Sequence, residues 1–236
     1  MKHFHVIGLK FRQNIAKNKL VGMENGMTSK AEATRRRFLE AAKNLVMSKG
    51  FAGMSIDDVL KATGMTKGAF FHHFKSKADL ADKLMRWYAE GDMKMFRTFM
   101  AQAEAAHDDP MDQLEQFLKD FEIYLSDPEN PPRGCMYALY TYEDNHFEND
   151  VKGFVSDTLQ TWTAMYIRKF QEVIDLYPPV KPVTAKKLAE MIVSVIEGGL
   201  ILERAYKAPG MTARQSEQFR EYLDLLFPTA AHRAAA

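Results

Sequence analysis

The chain has 236 residues, 27% of them charged and 46% apolar, a profile of a globular protein able to bury roughly 70% of its unfolded surface without disulfide or metal support. One cysteine excludes an intramolecular disulfide framework and a multi-thiolate metal site and fits a reducing cytoplasm; no run of 18 apolar residues is present to span a membrane. The net charge of +1 conceals a gradient: residues 1–27 carry five Lys/Arg against one acid, residues 28–82 carry ten against six, and the remainder must sum to −7. A basic N-terminal third on an acidic body suits contact with a polyanion at one end; chance variation in surface charge is the competing account.

Residues 1–27 hold scattered apolar side chains broken by Lys2, Lys10 and Arg12, without the uninterrupted apolar core of a secretory signal. Three readings stay open: a disordered basic arm that touches phosphates or enters a minor groove, a late start at Met23 or Met27, and a plain tail. His3 and His5 make a poor metal site, and no metal or cofactor is expected.

The next segment reads as four successive helix starts. Phe38, Ala41, Ala42, Leu45 and Val46 recur at i, i+3, i+4, i+7 and i+8, one buried stripe of an amphipathic helix. Gly50 is placed to end it in a left-handed conformation. Ser55-Ile56-Asp57-Asp58 has capping-box spacing and opens a short helix that stops at Thr63-Gly64. Thr66 caps a third, anchored by Phe70 and Phe74, and Ser76-Lys77-Ala78-Asp79 repeats the capping box at the head of a long fourth helix. Two short helices joined by a tight Gly-containing turn form a helix-turn-helix. Thr66, Lys67, Gly68 and Ala69 give the third helix a small, polar first turn where backbone N–H groups and the helix dipole favour an anion. His72, His73, Lys75 and Lys77 flank it with donors, the layout of a recognition helix. An ordinary helical hairpin with a solvated basic edge has the same composition.

The run from Thr34-Arg35 through Phe38-Leu39, Ala41-Ala42, Gly50, Ser55-Ile56 and Ala62-Thr63-Gly64-Met65-Thr66-Lys67-Gly68-Ala69-Phe70-Phe71-His72-His73-Phe74-Lys75-Ser76-Lys77 to Leu80 resembles the DNA-binding domain of TetR-type transcriptional regulators. The resemblance implies that Ser55 contacts phosphate. It puts Thr66, Lys67, Gly68 and Ala69 at the mouth of the major groove, takes His72 and His73 to phosphates or base edges, and pairs Lys77 with phosphate. Phe71 departs from the family pattern. A tyrosine is usual there, and its hydroxyl commonly reaches a phosphate; Phe71 is still expected among the DNA-facing residues, but it cannot donate and would contribute by packing.

The rest of the chain continues in helical periods without alternating strands, so the expected class is all-α. The fourth helix runs on through Leu84, Trp87, Phe96 and Met100 to a break at Ala106–Pro110. Further helices are expected through Leu114–Leu125, over Cys135–Asp144, Phe147–Tyr177 and Thr184–Lys207, and from a cap at Thr212 to Phe227. The resemblance implies an N-terminal three-helix helix-turn-helix domain (28–82) joined by a long helix to a helical ligand-binding and dimerisation domain (83–230), beyond a basic extension (1–27). It implies a homodimer formed through a pair of long helices, with Gly198-Gly199 permitting close approach, and a pseudo-palindromic double-stranded DNA operator. It also implies a ligand cavity. The chain's 15 Met, 16 Phe, 9 Tyr and 2 Trp suit an apolar or aromatic small molecule, with Phe99, Phe117, Phe121, Tyr137, Tyr140, Trp162 and Met165 as candidate lining. The acidic body mildly favours a neutral or cationic one.

Arg133-Gly134-Cys135-Met136 resembles a motif in one branch of such C-terminal domains, some of which sense oxidants through cysteine. Arg133 and a helix start could stabilise a Cys135 thiolate; a small buried apolar cysteine is the plainer account. Glu143–Asp150 has metal-ligand residue types without the glycine and spacing of a calcium loop. No G-x-S-x-G, H-E-x-x-H or phosphate-binding glycine loop occurs, which argues against an enzyme. The sequence therefore points to a cytoplasmic DNA-binding regulator, most simply a repressor released by a small molecule. Redox sensing through Cys135 is the alternative within the same scaffold, and a helical adaptor that has lost DNA binding is the alternative outside it.

Overall fold

A computed structural model describes residues 29–128, 133–143, 147 and 149–228, with the side chains of Asn149 and Asp150 excepted. The basic extension lies outside these residues. Nine helices account for the regular structure among them: α1 Lys30–Gly53, α2 Ile56–Thr63, α3 Lys67–His73, α4 Lys77–Ala106, α5 Pro110–Leu125, α6 Met136–Tyr142, α7 Asn149–Leu176, α8 Ala185–Tyr206 and α9 Met211–Leu226. The protein is all-helical over the described residues, as the periodicities require.

Local chemistry sets most boundaries. Ser55 Oγ accepts from the Asp58 amide at 3.1 Å while the Asp58 carboxylate accepts from the Ser55 amide at 2.9 Å, a complete capping box on α2. Gly64 ends α2 at φ 67°, a left-handed cap open to glycine at no steric cost. Thr66 caps α3 through Oγ1, and Asp109 caps α5 ahead of Pro110 at its first position. Three expectations need correction. Gly50 has positive φ (77°) but extended ψ (171°), so the chain kinks there and helical turns resume to Gly53. Ser76 caps α4, yet the Asp79 carboxylate accepts from the Lys75 amide at 2.8 Å, so the second capping box is only half formed. Thr212 does not cap the last helix: it lies buried inside α9, whose N-cap is Gly210.

A glycine cap offers no side-chain acceptor. The buried Glu203 of α8 supplies one, taking the Gly210 amide at 3.1 Å, the Thr212 amide at 2.9 Å and the Thr212 hydroxyl at 2.8 Å. A carboxylate from one helix thus satisfies the orphan donors at the N-terminus of the next.

Two apolar clusters organise the molecule. In the first, Phe38 meets Phe70 and Phe74 edge-on at 5.6 and 6.0 Å. This core is continuous with Met136, Tyr137, Tyr140, Val151 and Val155, so α6 and the start of α7 share the core of the N-terminal helices. In the second, Phe96 meets Phe117 and Trp162 at 4.7 Å and Tyr166 at 5.1 Å, and α8 and α9 close it with Ile192, Phe219 and Leu223. α4 spans both clusters.

The paired glycines play separate parts. A Cβ on Gly199 would stand 2.9 Å from the Thr212 Cα, whereas one on Gly198 meets nothing within 4 Å. The close approach expected at a helix crossing is made at Gly199, where α8 crosses α9. Gly199→Ala is expected to cost about 2 kcal/mol, because backbone must move to relieve the overlap. Gly198→Ala should cost nothing by this route. Comparing the thermal midpoints of the two variants checks this, and equal midpoints would refute it.

Candidate nucleic-acid interface and regulatory cavity

The recognition surface is built by capping and aromatic anchoring. Phe70 and Phe74 are fully buried, which turns the opposite side of α3 outward. Thr66, Lys67, Gly68 and His72 are exposed there, as is Phe71 at 46%. Phe71 packs edge-on against Phe70 at 5.3 Å. Lys75 is exposed just beyond α3; it belongs with this group as an additional cation.

The other expected contacts are partly committed to the protein itself. The Ser55 hydroxyl donates to Asp58 at 2.6 Å, so its first role is to cap α2. The Asp58 carboxyl is held well below the usual carboxylate range by Lys49, at 2.6 Å, and by Ser55. His73 packs against Phe38 and Phe74 at 6.2 Å; burial lowers its pKa, and His72, Arg35 and Lys83 lower it further. His72 is exposed and free of that packing. Lys77 Nζ donates to the Ala52 carbonyl at 3.0 Å, tying the head of α4 to the end of α1.

Three ties join the N-terminal helices to the body. The Glu143 carboxylate accepts from the Phe51 amide at 3.2 Å and the Ala52 amide at 2.7 Å. Arg204 of α8 donates to the Met47 carbonyl at 3.0 Å and the Arg133 carbonyl at 3.3 Å. Lys43 lies over the Trp87 ring at 5.9 Å. Of the Glu143–Asp150 acidic run, Glu143 therefore acts as a strut; residues 144–146 and 148 lie outside the described set.

Beside these ties is a cavity of about 810 Å³, within the range of small-molecule sites. Its wall includes Leu39, Lys43 and Met47 of α1, Trp87, Tyr88 and Asp92 of α4, Phe121 and Tyr124 of α5, Tyr137 of α6, Trp162 of α7 and Glu197 of α8. Phe121, Tyr137 and Trp162, three of the seven candidate lining residues, are in this wall. Phe99, Phe117, Tyr140 and Met165 do not line it. Phe99 and Phe117 are buried in the second cluster, Met165 packs against that cluster, and Tyr140 is buried in the first. Helical period alone cannot separate a core face from a cavity wall.

Sequence reasoning missed Asp92, Glu197, Tyr88 and Tyr124. In sequence the two acids look like solvated helix positions. Asp92 accepts from the Tyr137 hydroxyl at 3.3 Å. Burial pushes its pKa up to about 7; Tyr137, Lys43 and Tyr88 oppose the rise and Glu197 adds to it. Burial also raises Glu197, against a hydrogen bond from Cys135. The buried Trp162 Nε1 has no hydrogen-bond partner among the described residues.

Asp92 makes stability depend on pH. The unfolded chain releases this proton near 3.8, the folded chain near 7. The folded state therefore binds more protons between these values, and stability falls as pH rises through that window. Asp92→Asn removes the slope. The variant is expected to gain about 1–2 kcal/mol on wild type at pH 8 and nothing at pH 4. Thermal midpoints at both pH values test it; an equal difference at each would exclude the ionisation as cause.

Cys135 is buried, and its thiol is pushed well up by burial and then by Glu197, with the Ala138 and Tyr137 amides only partly opposing this. A reactive thiolate needs the reverse, so the geometry does not favour redox sensing. Among the described residues, no group of three or more His, Cys, Asp or Glu is placed to hold a metal ion, and no helix is long and apolar enough to cross a membrane.

Residues 38–84 match the family model for bacterial regulatory proteins of the tetR family, and residues 110–218 match the LmrA/YxaF-like transcriptional regulator C-terminal domain. The chain is 24% identical over 176 residues to the HTH-type transcriptional regulator LmrA of Bacillus subtilis, covering 74% of this chain and 88% of that protein. It is 20% identical over 210 residues to the HTH-type transcriptional repressor KstR2 of Mycobacterium tuberculosis, covering 75% and 98%. Among solved structures, a TetR transcriptional regulator from Chloroflexus aurantiacus superposes with a TM-score of 0.69 at 26% identity, covering 84% of this chain and 97% of that one. A TetR family regulator from Agrobacterium tumefaciens gives 0.68 at 21%, covering 81% and 98%. Both halves match in order along one helical chain, with the reading head at one end and the regulator-type body at the other: this protein belongs to the TetR family of DNA-binding transcriptional regulators.

Proposed function

We propose that the protein is a repressor that binds a pseudo-palindromic operator as a two-fold dimer and is released when a small molecule fills the cavity. The observation that carries this reading is that the cavity is walled by α1 of the reading head as well as by α4–α8 of the body. An occupant therefore touches both units, and its preference between two head positions becomes a change in DNA affinity. Moving most of the population requires ~4–5 kcal/mol of such preference. Glu143 and Arg204 hold the same end of α1 and are positioned to transmit the shift.

In this reading residues 28–82 form the DNA-binding domain and residues 83–230 the ligand-binding and dimerisation domain. Thr66, Lys67, Gly68, Ala69, Phe71 and His72 face the major groove, while Ser55, His73 and Lys77 mainly position them. Met191, Ile201, Leu202 and Tyr206 are exposed apolar residues on α8, and they support a dimer face on that helix. α7 has only Leu176, at its end, among such residues.

The test is a mobility shift with DNA from upstream of the protein's own gene, at two salt concentrations and with unrelated competitor. Competitor-resistant binding that persists at higher salt is expected. Binding that disappears under both conditions for every fragment recovered by genome-wide selection would defeat the reading.

A further inference from the structure

We propose that the cavity takes a lipophilic organic cation, an aromatic group bearing a protonated or quaternary nitrogen, with Asp92 and Glu197 as its counter-charges. The inference rests on the ligand-release reading and adds the chemical class of the ligand.

Asp92 of α4 and Glu197 of α8 approach one wall from two helices, and each perturbs the same Tyr137. Asp92 accepts from the Tyr137 hydroxyl, and Glu197 faces the Cys135 thiol. Among the described residues, no lysine or arginine forms an ion pair with either carboxylate within 4 Å. The cations in the wall are engaged or placed elsewhere. Arg36 pairs with Glu40 at 3.0 Å, and Arg35 is close enough to His73 to depress its pKa; Lys43 lies over Trp87 and only partly offsets the rise at Asp92, without an ion pair to it. Lys94 and Arg133 are exposed.

Around the two acids stand Trp87, Tyr88, Phe121, Tyr124, Tyr137 and Trp162. Aromatic faces attract cations, and more strongly once water is displaced. Burial holds both carboxyls toward the protonated form. An anion would oppose ionisation of the two acids, a neutral occupant would leave them toward the protonated form, and only a cation gains from their charge. A cation favours ionisation of both, and at Asp92, whose pKa is pushed up to about 7, its binding releases a proton near neutral pH.

The experiment uses the full chain. Both of its tryptophans line the cavity, so intrinsic fluorescence reports occupancy. The probes are benzyltrimethylammonium and its naphthylmethyl homologue, each against the uncharged hydrocarbon in which carbon replaces nitrogen. Calorimetry in two buffers of different ionisation enthalpy counts protons. An ammonium is expected to bind at least about tenfold more tightly than its isostere, to release protons at pH 6.5–7, and to lose the preference when Asp92→Asn and Glu197→Gln are combined. The proposal fails if the isosteres bind as well as the ammoniums, or if the preference survives the double substitution. Should that variant not fold, the wild-type ratio and proton count decide alone. Displacement from operator DNA separates the two readings. A neutral cavity ligand that binds more tightly than every ammonium and releases DNA overturns the cation assignment and keeps ligand release. An ammonium that binds with the expected preference yet leaves DNA bound does the opposite.

Discussion

Replacing Gly68 with glutamate is expected to reduce operator binding at least about 100-fold, roughly 2.7 kcal/mol, while the chain stays folded. Gly68 sits in the exposed first turn of α3, and a Cβ there would meet only Thr66 Oγ1, at 4.0 Å. Its backbone is not in the left-handed region, so nothing in the chain requires glycine, although glycine within a helix costs about 1 kcal/mol against alanine. The reason for glycine then lies outside the chain, where the backbone must come close to a partner. A glutamate would carry a negative charge into the phosphate field at that point and remove the clearance. Gly68→Ala is the companion variant, expected to gain up to about 1 kcal/mol in stability. Circular dichroism establishes the fold and the mobility shift reads affinity. A folded Gly68→Glu protein that binds like wild type would place the DNA surface elsewhere.

Glu203→Ala should destabilise the body by about 3 kcal/mol, a fall of roughly 6–12 °C in thermal midpoint for a chain of this size. The carboxylate receives two amides and one hydroxyl at 2.8–3.1 Å, and Thr212 is fully buried. Alanine would leave these donors without an acceptor and would remove negative charge from the N-terminus of α9. Glu203→Gln keeps an acceptor oxygen and should lose about half as much. If alanine and glutamine variants melt together near wild type, the inter-helix cap is not a stabilising element. The expected consequence reaches beyond α9, because α8 also carries Arg204, which bonds the Met47 carbonyl of α1.

The elements that sequence alone determined are those written in contacts three or four residues apart. The stripe through Phe38 and Val46, the Ser55–Asp58 box, the turn at Thr63-Gly64 and the Thr66 cap are local, and each formed where its spacing required, whereas the left-handed helix end expected at Gly50 is found at Gly64. Together they are the helix-turn-helix, and with the resemblance carried by the same residues they pointed to DNA binding before any packing was known. The body was legible as helices but not as a site. Phe121 and Phe117 share one helix stripe, yet only Phe121 lines the cavity. Asp92 and Tyr137 meet across 45 residues of chain, and Glu197 joins them from a third helix. No local pattern encodes such a meeting, because it depends on helix crossings decided by the whole core. The same holds for Glu203 in place of a side-chain cap on α9 and for Gly199 rather than Gly198 at the crossing. The sequence around Cys135 offers Arg133 and a helix start, features of a reactive thiol; the tertiary structure sets that thiol beside Glu197 in a buried wall, and desolvation outweighs both.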